Sequence, residues 1–595
     1  MIKGMSTSTD PALRRGGSWL IESSQPGDVV TPERRTDEHR LIAQTASEFV
    51  THDVLPALRR LEQKDWALAR DLLRRAGELG LLAVDVPEAY GGVALDKVSS
   101  LIVSDKLSRA ASFGATVGAQ ANLTIIPLVL FGTEAQKRKY LPRLLSGELV
   151  GAYSLSESGS GSDALGARTR ADRQTDGSFV LNGEKMWTTN GGFADIFIVF
   201  AKVDGEHFTA FIVERAFGGL TSGKEEHKMG LHGSSTTAVI LQDVKVPPQN
   251  LLGEVGRGHK VAFNVLNFAR FKLGAGCSGG AQGAIDEAVK YAATRRQFGQ
   301  PIASFGAIRH KIGEMITRAY AVESLVYRTA GLIDARIEAT SSDTSDGAAA
   351  LAALEEYAVE ASIAKVAGSE TLDFVLDENI QIHGGNGYVQ DYPAERHFRD
   401  ARVNRIFEGT NEINRLLIPG MLARRALKGE LALIPAAKAL QDELLSPSSM
   451  PDADDSPLGE ERRAVHAFKK TALMVFGLAM QTYGKDLSDH QEILMHLADI
   501  LIDVFSAEST LLRACAALNG TSTTLHADVA RVFVNDAAMR IEVSARQALA
   551  AMCEGDTLRI MLAALRRLLK VTPVNTVVLR RRIADEAVAH GGYLF

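Results

Sequence analysis

Cysteines are scarce in this sequence, and long apolar runs are missing both from its first residues and from its interior. Only three cysteines occur among 595 residues, Cys277, Cys515 and Cys553, too few and too widely spaced for a disulfide framework or a zinc knuckle. Residues 1–28 contain no apolar stretch of the signal-peptide type. The longest apolar run, residues 472–480, is about half the length that a membrane-spanning helix needs. We therefore expect a protein of a reducing compartment, the cytoplasm, with no membrane span and no metal site.

A strong excess of one charge is also missing. The 66 basic and 72 acidic residues leave a net charge of -6, and 23% of the residues are charged against 46% hydrophobic. These proportions are typical of an ordinary globular protein. Because no basic excess stands out, nothing favours a nucleic acid as a partner. A chain of this length is expected to hold several domains.

The spacing of apolar residues changes along the chain and divides it into units. Three- and four-residue spacings predict helices up to about residue 150, short alternating runs predict strands over 151–255, and helical spacing then returns. A Pro-, Ser- and Asp-rich cluster at 446–457 is typical of a linker. The predicted fold class is therefore α+β, mainly α. The predicted units are a loosely ordered N-terminal arm (1–36), a helical domain (37–150), a middle β domain (151–255), a helical bundle domain (256–435), a linker (436–459) and an additional helical domain (460–595).

One acidic residue, Glu408, stands in an unusual local context. It follows the apolar pair Ile406 and Phe407 and precedes Gly409 and Thr410, which favour a turn or a helix start. A carboxylate near a helix N-terminus is often placed there only because the helix dipole favours it. A carboxylate held against apolar surface has a raised pKa and is a useful base. This stretch by itself leaves both interpretations open.

Three other patterns are equally ambiguous when taken one at a time. The Ser- and Gly-rich loop 156–163 is typical of a plain turn, but it follows a predicted strand, where hydroxyls and glycine amides can meet a ligand. Trp187 is either a core aromatic or a ligand contact. The three glycines of 384–387 either end a helix or allow close approach of the backbone to an anion.

Taken together, five segments resemble the acyl-CoA dehydrogenase family in the family's order and at its spacing. They are AYSLSESGSGSD (152–163), KMWTTNGG (185–192), TRRQFGQPI (294–302), QIHGGNGY (381–388) and RIFEGTNEI (405–413). The resemblance covers about residues 40–430, and the additional helical domain makes the chain similar to the very-long-chain subgroup. It implies an N-terminal helical domain, a small β-barrel-like domain, a four-helix bundle and bound FAD.

The implied reaction is α,β-dehydrogenation of fatty acyl-CoA thioesters to trans-2-enoyl-CoA, the first step of fatty acid β-oxidation. By resemblance, Glu408 takes the α-proton, flavin N5 accepts the hydride, and electrons pass to electron-transfer flavoprotein. Some relatives carry the base in the segment that here reads LNFARF, residues 266–271, which contains no acid. Glu408 is therefore the sole candidate base. Two alternatives remain, an acyl-CoA oxidase that uses O2 and a non-catalytic assembly or interaction protein of the same fold.

The resemblance also assigns binding residues. The predicted FAD contacts within one subunit are Tyr153, Leu155, Ser156, Gly161, Ser162, Trp187, Thr188, Thr189, Gly409, Thr410 and Asn411. The predicted contacts to the FAD of a neighbouring subunit are Arg295, Phe298, Gln381, Ile382, Gly384 and Gly385, and they imply a homodimer. The predicted acyl-CoA contacts are Ser162, Asn267, Arg270, Glu408 and Gly409. Thr124 and Pro127 stand where very-long-chain relatives tend to have glycines, so we expect a crowded acyl tunnel and a preference for medium to long straight chains.

Overall fold

The computed structural model describes residues 14–341, 346–445, 454, 456–518 and 524–595. Its N-terminal helices are α1 (Asp37–Phe49), α2 (Leu55–Glu62), α3 (Trp66–Glu78), α4 (Lys97–Leu107), α5 (Ala111–Gln120), α6 (Ile126–Phe131) and α7 (Glu134–Leu145). Side chains of Thr36, Asp65, Asp96 and Thr133 each accept a hydrogen bond from the backbone N–H three residues on, which starts α1, α3, α4 and α7. A π turn, Ala121–Ile125, joins α5 to α6.

One stretch of the described chain, Lys97–Phe131, is long and apolar enough to cross a bilayer by length and composition. It comprises α4, α5 and α6, and 61% of its most apolar window is buried inside the protein. A core helix meets the same two criteria, so the stretch is a weak indication of a span.

The middle domain is a mostly antiparallel sheet. Its strands are β1 (Gly151–Ser154), β2 (Arg170–Arg173), β3 (Phe179–Thr189), β4 (Ile196–Val203), β5 (His207–Glu214), β6 (Leu220–Glu225), β7 (Thr236–Val246) and β8 (Leu251–Leu252). They follow the order β6-β7-β3-β2-β4-β5-β8, and β1 pairs in parallel with β4. Alternate residues of β4 enter two cores: Phe197 and Val199 face one hydrophobic cluster, and Ile198 and Phe200 face another. The sheet is therefore buried on both faces between helices.

Long helices form the bundle that follows the sheet. They are α8 (Gly258–Thr294), α9 (Gly306–Ser341), α10 (Asp346–Glu356), α11 (Ala358–His383), α12 (Ala394–Ala401) and α13 (Asn411–Leu427), with a short hairpin of β9 (Arg296–Gln297) and β10 (Gln300–Pro301) between α8 and α9. Helices α8 and α11 pack so closely that a Cβ on Gly274 would lie 2.9 Å from the Cβ of Ala364. This contact brings the two helices that flank Glu408 together.

The C-terminal helices share a core with the bundle. They are α14 (Leu433–Leu445), α15 (Gly459–Tyr483), α16 (Gln491–Leu518), α17 (Leu525–Met552), α18 (Gly555–Leu568) and α19 (Thr576–His590). One hydrophobic cluster joins Phe271 and Leu325 of the bundle to Phe468 and Phe505 of the additional helices. The predicted fold class, α+β and mainly α with an extra helical domain, is confirmed.

Two expectations about the connecting segments need correction. Residues 436–445 of the predicted linker belong to α14, and most of its remainder lies outside the described residues. Part of the predicted loose arm is packed into the protein: Trp19 and Leu20 are buried, and the Trp19 Nε1–H donates to Glu360 at 2.9 Å. The arm is held because its few apolar residues fit the groove between bundle and additional helices, which composition alone does not indicate.

Candidate active site

A cavity of about 700 Å³ lies where the N-terminal helices meet α8 and the loop before α13. Phe407 and Glu408 belong to its wall, and Thr189 brings the edge of the middle domain into it. Apolar side chains such as Val103 and Ile126 make up much of the remainder. The cavity therefore places one carboxylate beside a largely apolar space.

Glu408 has a backbone conformation that residues with a side chain rarely adopt. Its φ is 58°, and that of Gly409 is 80°; the left-handed conformation costs a non-glycine residue roughly 1–2 kcal/mol. The conformation is held by Arg270, whose Nε donates to the carbonyl of Glu408 at 3.0 Å, and by Asn414, whose Nδ2 donates to the carbonyl of Gly409 at 2.8 Å. Thr410 then caps α13. Such strained conformations concentrate at functional sites.

The electrostatic surroundings of Glu408 are unusual for a carboxylate. Burial raises the pKa of Glu408 to about 7, and the positive charges of Arg270 and Lys365 oppose that rise. Burial also lowers the pKa of Arg270 to about 10 and that of Lys365 to about 8. The pKa of Tyr153 lies well above its ordinary value because of burial and of the charge on Glu408. A carboxyl with a pKa near neutrality is suited to take up and release a proton.

Asn267 and Arg270 lie behind Glu408. Both are buried, and Arg270 Nη1 donates to Asn267 Oδ1 at 3.0 Å. Neither is among the described residues that line the cavity. The structure thus shows them supporting the main chain of Glu408, and their contact with acyl-CoA stays a prediction.

The end of β3 carries Trp187, Thr188 and Thr189 on a bulge. The register between β3 and β7 shifts between Lys185 and Thr188, and Trp187 within the bulge has a φ of 58° and is 56% exposed. Thr188 is buried, with its hydroxyl 3.1 Å from that of Ser154. Thr189 lines the cavity. A ligand can therefore reach Trp187 and Thr189, whereas Thr188 faces the domain interior.

The loop after β1 is anchored at one point and open at its tip. The carbonyl of Ser156 accepts a hydrogen bond from the backbone N–H of Met186 at 2.9 Å, which ties the loop to β3. Leu155 is partly buried, and Gly161 and Ser162 are exposed. The loop thus presents a hydroxyl and free backbone beside Trp187.

Tyr153, Trp187 and Thr189 offer a fit for an isoalloxazine ring. The Tyr153 hydroxyl is buried and has no hydrogen-bond partner among the described residues, which is unusual unless a ligand supplies one. An exposed indole and a threonine in the cavity wall lie in the same region. A flat aromatic group with a polar edge suits this set of side chains, so the residues fit FAD.

The residues predicted to contact the FAD of a neighbouring subunit form a second group at the other end of the bundle. Arg295 lies about 37 Å along α8 from Arg270, and Tyr291 joins this end to α11 by donating to the carbonyl of His383 at 3.2 Å. The group comprises the exposed Arg295, Phe298, Gln381, Gly384 and Gly385 and the buried Ile382. Phe298 is 93% exposed. The structure does not bring this group to Glu408 within one chain.

Thr124 and Pro127, which were predicted to crowd the acyl tunnel, are both buried and are not among the described residues that line the cavity. Thr124 is fully buried, its hydroxyl donates to the carbonyl of Ala119 at 2.9 Å, and its methyl group packs on Gly151 of β1. The π turn inserts an extra residue and so changes which side chains face the cavity. The described residues of this segment that do line it are Asn122, Leu123, Ile125 and Ile126.

Sequence reasoning missed Lys365, Asn414 and the inward role of Asn411. Lys365 and Asn411 are buried, and Lys365 Nζ donates to Asn411 Oδ1 at 2.6 Å. The available signal was a single lysine inside the apolar stretch ASIAKVAG of α11. Because Asn411 faces this lysine, its predicted contact with FAD stays a prediction.

Comparisons with known proteins agree with this geometry. Models of the acyl-CoA dehydrogenase N-terminal domain, middle domain and C-terminal domain match residues 36–148, 152–244 and 256–422, and a further C-terminal domain model matches 467–567. A probable acyl-CoA dehydrogenase of Bacillus subtilis is 48% identical over 578 residues, covering 96% of this chain and 97% of that protein. The human mitochondrial very long-chain specific acyl-CoA dehydrogenase is 37% identical over 546 residues, which cover 86% of this chain and 79% of that protein. The crystal structure of an acyl-CoA dehydrogenase complexed with FAD from Bacillus anthracis is 48% identical with a TM-score of 0.96, covering 98% of this chain and all of that one.

Proposed function

Because this chain belongs to the acyl-CoA dehydrogenase family and shares its FAD chemistry, we propose that it oxidises straight-chain fatty acyl-CoA thioesters to trans-2-enoyl-CoA with Glu408 as the base. The observation that carries this proposal is Glu408 itself, a strained carboxyl with a pKa of about 7 in the wall of an apolar cavity. The predicted family, enzyme class and cofactor are confirmed.

The residues of this chain supply a base and a hydrogen-bond donor. Glu408 takes the α-proton of the thioester, and its backbone N–H, which has no partner among the described residues, donates to the thioester oxygen as negative charge develops there. Arg270 holds the carbonyl of the same residue, so base and donor are positioned together. Tyr153, Trp187 and Thr189 would hold the flavin ring, and bound FAD would supply the acceptor for the hydride that leaves the β-carbon.

Anaerobic addition of acyl-CoA to the FAD-loaded protein tests the proposed reaction. We expect the absorbance of oxidised flavin to fall and enoyl-CoA to form in equal amount. A protein that binds FAD yet keeps its flavin oxidised with acyl-CoAs of every chain length would contradict the proposal and would favour the non-catalytic alternative.

The proposed substrates are acyl chains of medium to long length. The apolar wall, with Val103, Leu107, Ile125 and Ile126 among its members, favours an unbranched hydrocarbon chain. We expect kcat/KM to rise from short to medium and long straight chains. A higher kcat/KM on short or branched acyl-CoAs would contradict this preference.

Electron-transfer flavoprotein is the proposed electron acceptor, and an oxidase is the alternative. The reduced enzyme should return to the oxidised form rapidly with electron-transfer flavoprotein and slowly in air. Rapid reoxidation by O2 with formation of hydrogen peroxide would establish the oxidase instead.

A homodimer is the proposed assembly. The exposed residues Arg295, Phe298 and Gln381 are not among the described residues that line the cavity, so we infer that they contact FAD of a second subunit. Light scattering should give a dimer, and Arg295→Ala should weaken FAD binding. A monomer that retains FAD and activity would contradict this assembly.

A further inference from the structure

Lys365 is a buried charge without a counter-ion. It lies in α11 with no exposed surface, and its ammonium group donates to Asn411 Oδ1 at 2.6 Å. Within the described part of the chain, no carboxylate lies within 4.0 Å of this ammonium group. Burying a charge that lacks a pairing partner is costly, so the position of Lys365 calls for an explanation.

The other buried lysines of the described chain all have a carboxylate partner. The pairs are Lys97 with Asp85, Lys185 with Glu157, Lys272 with Asp85 and Lys469 with Glu508. Each of these four lysines thus has a carboxylate within 4.0 Å, although Lys97 and Lys272 share that of Asp85. Lys365 departs from this pattern next to the proposed base.

The groups that face Lys365 point to Glu408 as the one it serves. Helix α8 contributes Cys277 and Arg270, its own helix contributes Glu370, and the loop before α13 contributes Glu408. Glu370 is already paired, because Arg415 donates to both of its oxygens at 2.6 and 2.8 Å. Glu408 has no ion-pair partner among the described residues. The positive charge of Lys365 is therefore available to Glu408.

We propose that Lys365 is a positioning residue that keeps Glu408 ionised when a bound acyl chain has expelled water from the cavity. Expelling water favours the neutral carboxylic acid, which would be useless as a base, and a buried cation opposes that effect. The hydrogen bond to Asn411 places this cation against the first turn of α13, three residues after Glu408. The inference rests on the proposed function, since it assumes that Glu408 is the base.

The test compares pH profiles of flavin reduction for FAD-loaded variants. Lys365→Met removes the charge and keeps much of the volume. The midpoint of the profile, which is the pH at which the rate of flavin reduction is half-maximal, should therefore rise by roughly one unit. The rate at pH 6 should fall about tenfold, and the rates should converge above the shifted midpoint. Lys365→Arg should restore the wild-type profile at low pH because the charge returns.

A second variant covers the case in which Lys365→Met does not fold. Asn411→Asp gives Lys365 a carboxylate partner without removing it, and the midpoint should again rise. Lys469→Met is the matched control, since it removes a buried lysine in the additional helices, and its midpoint should stay at the wild-type value. Thermal unfolding of each variant separates a loss of folded protein from a shift of the profile.

Two results would overturn the inference. One is a Lys365→Met enzyme whose midpoint equals that of the wild type, which would make Lys365 purely structural. The other is an Asn411→Asp enzyme without a shift when Lys365→Met cannot be obtained. Failure of the proposed function has a different signature, because Glu408→Gln would then reduce its flavin as fast as the wild type.

Discussion

Glu408, half-buried in the cavity wall, and Glu508, buried in α16, are two glutamates that the protein uses in opposite ways. Glu508, in α16, accepts hydrogen bonds from Arg328 at 2.9 Å and from Lys469, and these cations hold its pKa below the ordinary value. Glu408 has no ion-pair partner among the described residues, and burial raises its pKa to about 7. Two cations favour the charged form of Glu508, whereas the pKa of Glu408 allows it to exchange a proton near neutral pH.

The difference lies in what surrounds each carboxylate. Arg328 and Lys469 come from α9 and α15, so Glu508 joins three helices at the seam between the bundle and the additional helices. The cations near Glu408 are directed elsewhere: Arg270 holds a backbone carbonyl, and Lys365 holds Asn411. Direct ion pairs therefore make Glu508 a structural tie between helices. Glu408 has no such pair among the described residues and stays reactive.

The rates of anaerobic flavin reduction by Glu408→Gln and by Glu508→Gln test the difference between the two glutamates most strongly. The first variant keeps the size of the side chain but lacks a base, so anaerobic flavin reduction should fall by about a hundred- to ten-thousandfold or more. FAD should remain bound. The second variant should reduce its flavin, per folded FAD-containing molecule, at close to the wild-type rate. Equal losses in both variants, measured by stopped flow, would show that the two glutamates are not functionally distinct.

The free energy of unfolding should fall for Glu508→Gln, the variant that keeps its activity, and not for Glu408→Gln at pH 7. Glu508→Gln leaves Arg328 and Lys469 buried without their partner, and breaking a buried ion pair from one side costs about 3–5 kcal/mol. We expect this loss in the free energy of unfolding at pH 7, measured by denaturant titration. Glu508→Gln that is as stable as the wild type would contradict the structural role of the seam pair.

The pH dependence of stability should also have opposite signs at the two sites. The folded-state pKa of Glu408 is raised from 4.5 to about 7, so its ionisation destabilises the fold as pH rises through that interval, by up to about 3 kcal/mol. Glu408→Gln should match the wild type at pH 4 and be more stable at pH 8. The pKa of Glu508 is lowered, so its contribution is present above pH 4.5 and is lost as pH falls below it. Melting curves of both variants that show parallel pH trends would contradict this assignment.

A smaller effect concerns the main chain that carries Glu408. Thr410→Ala removes the side-chain cap of α13 and should cost about 1 kcal/mol of stability. Because the cap lies two residues after Glu408, flavin reduction should slow by less than the loss of the base itself. A control, Thr133→Ala, removes the equivalent cap of α7 and should change stability alone. Identical rates in both cap variants would show that the cap does not position the base.

The two glutamates also show what the sequence was able to predict. Glu408 was identified because its neighbours form a short segment with a strong family resemblance. Glu508 gave no such signal, because Arg328 and Lys469 are distant in sequence and meet it only after α9, α15 and α16 pack. Thr124 was predicted by resemblance to crowd the tunnel, but in the π turn over residues 121–125 it packs on Gly151, and a local sequence likeness does not reveal such a turn. The buried Trp19 escaped for a similar reason, since its groove exists only in the folded protein.

The most direct test of the central claim is exchange of the substrate α-hydrogen with deuterium from solvent. An acyl-CoA analogue with sulfur in place of the β-carbon cannot release a hydride, so it isolates the proton transfer assigned to Glu408. We predict that the FAD-loaded wild type incorporates deuterium at the α-carbon and that Glu408→Gln, with FAD still bound and the fold intact by melting curve, does not. Exchange by Glu408→Gln at the wild-type rate would contradict the account and would place the base elsewhere.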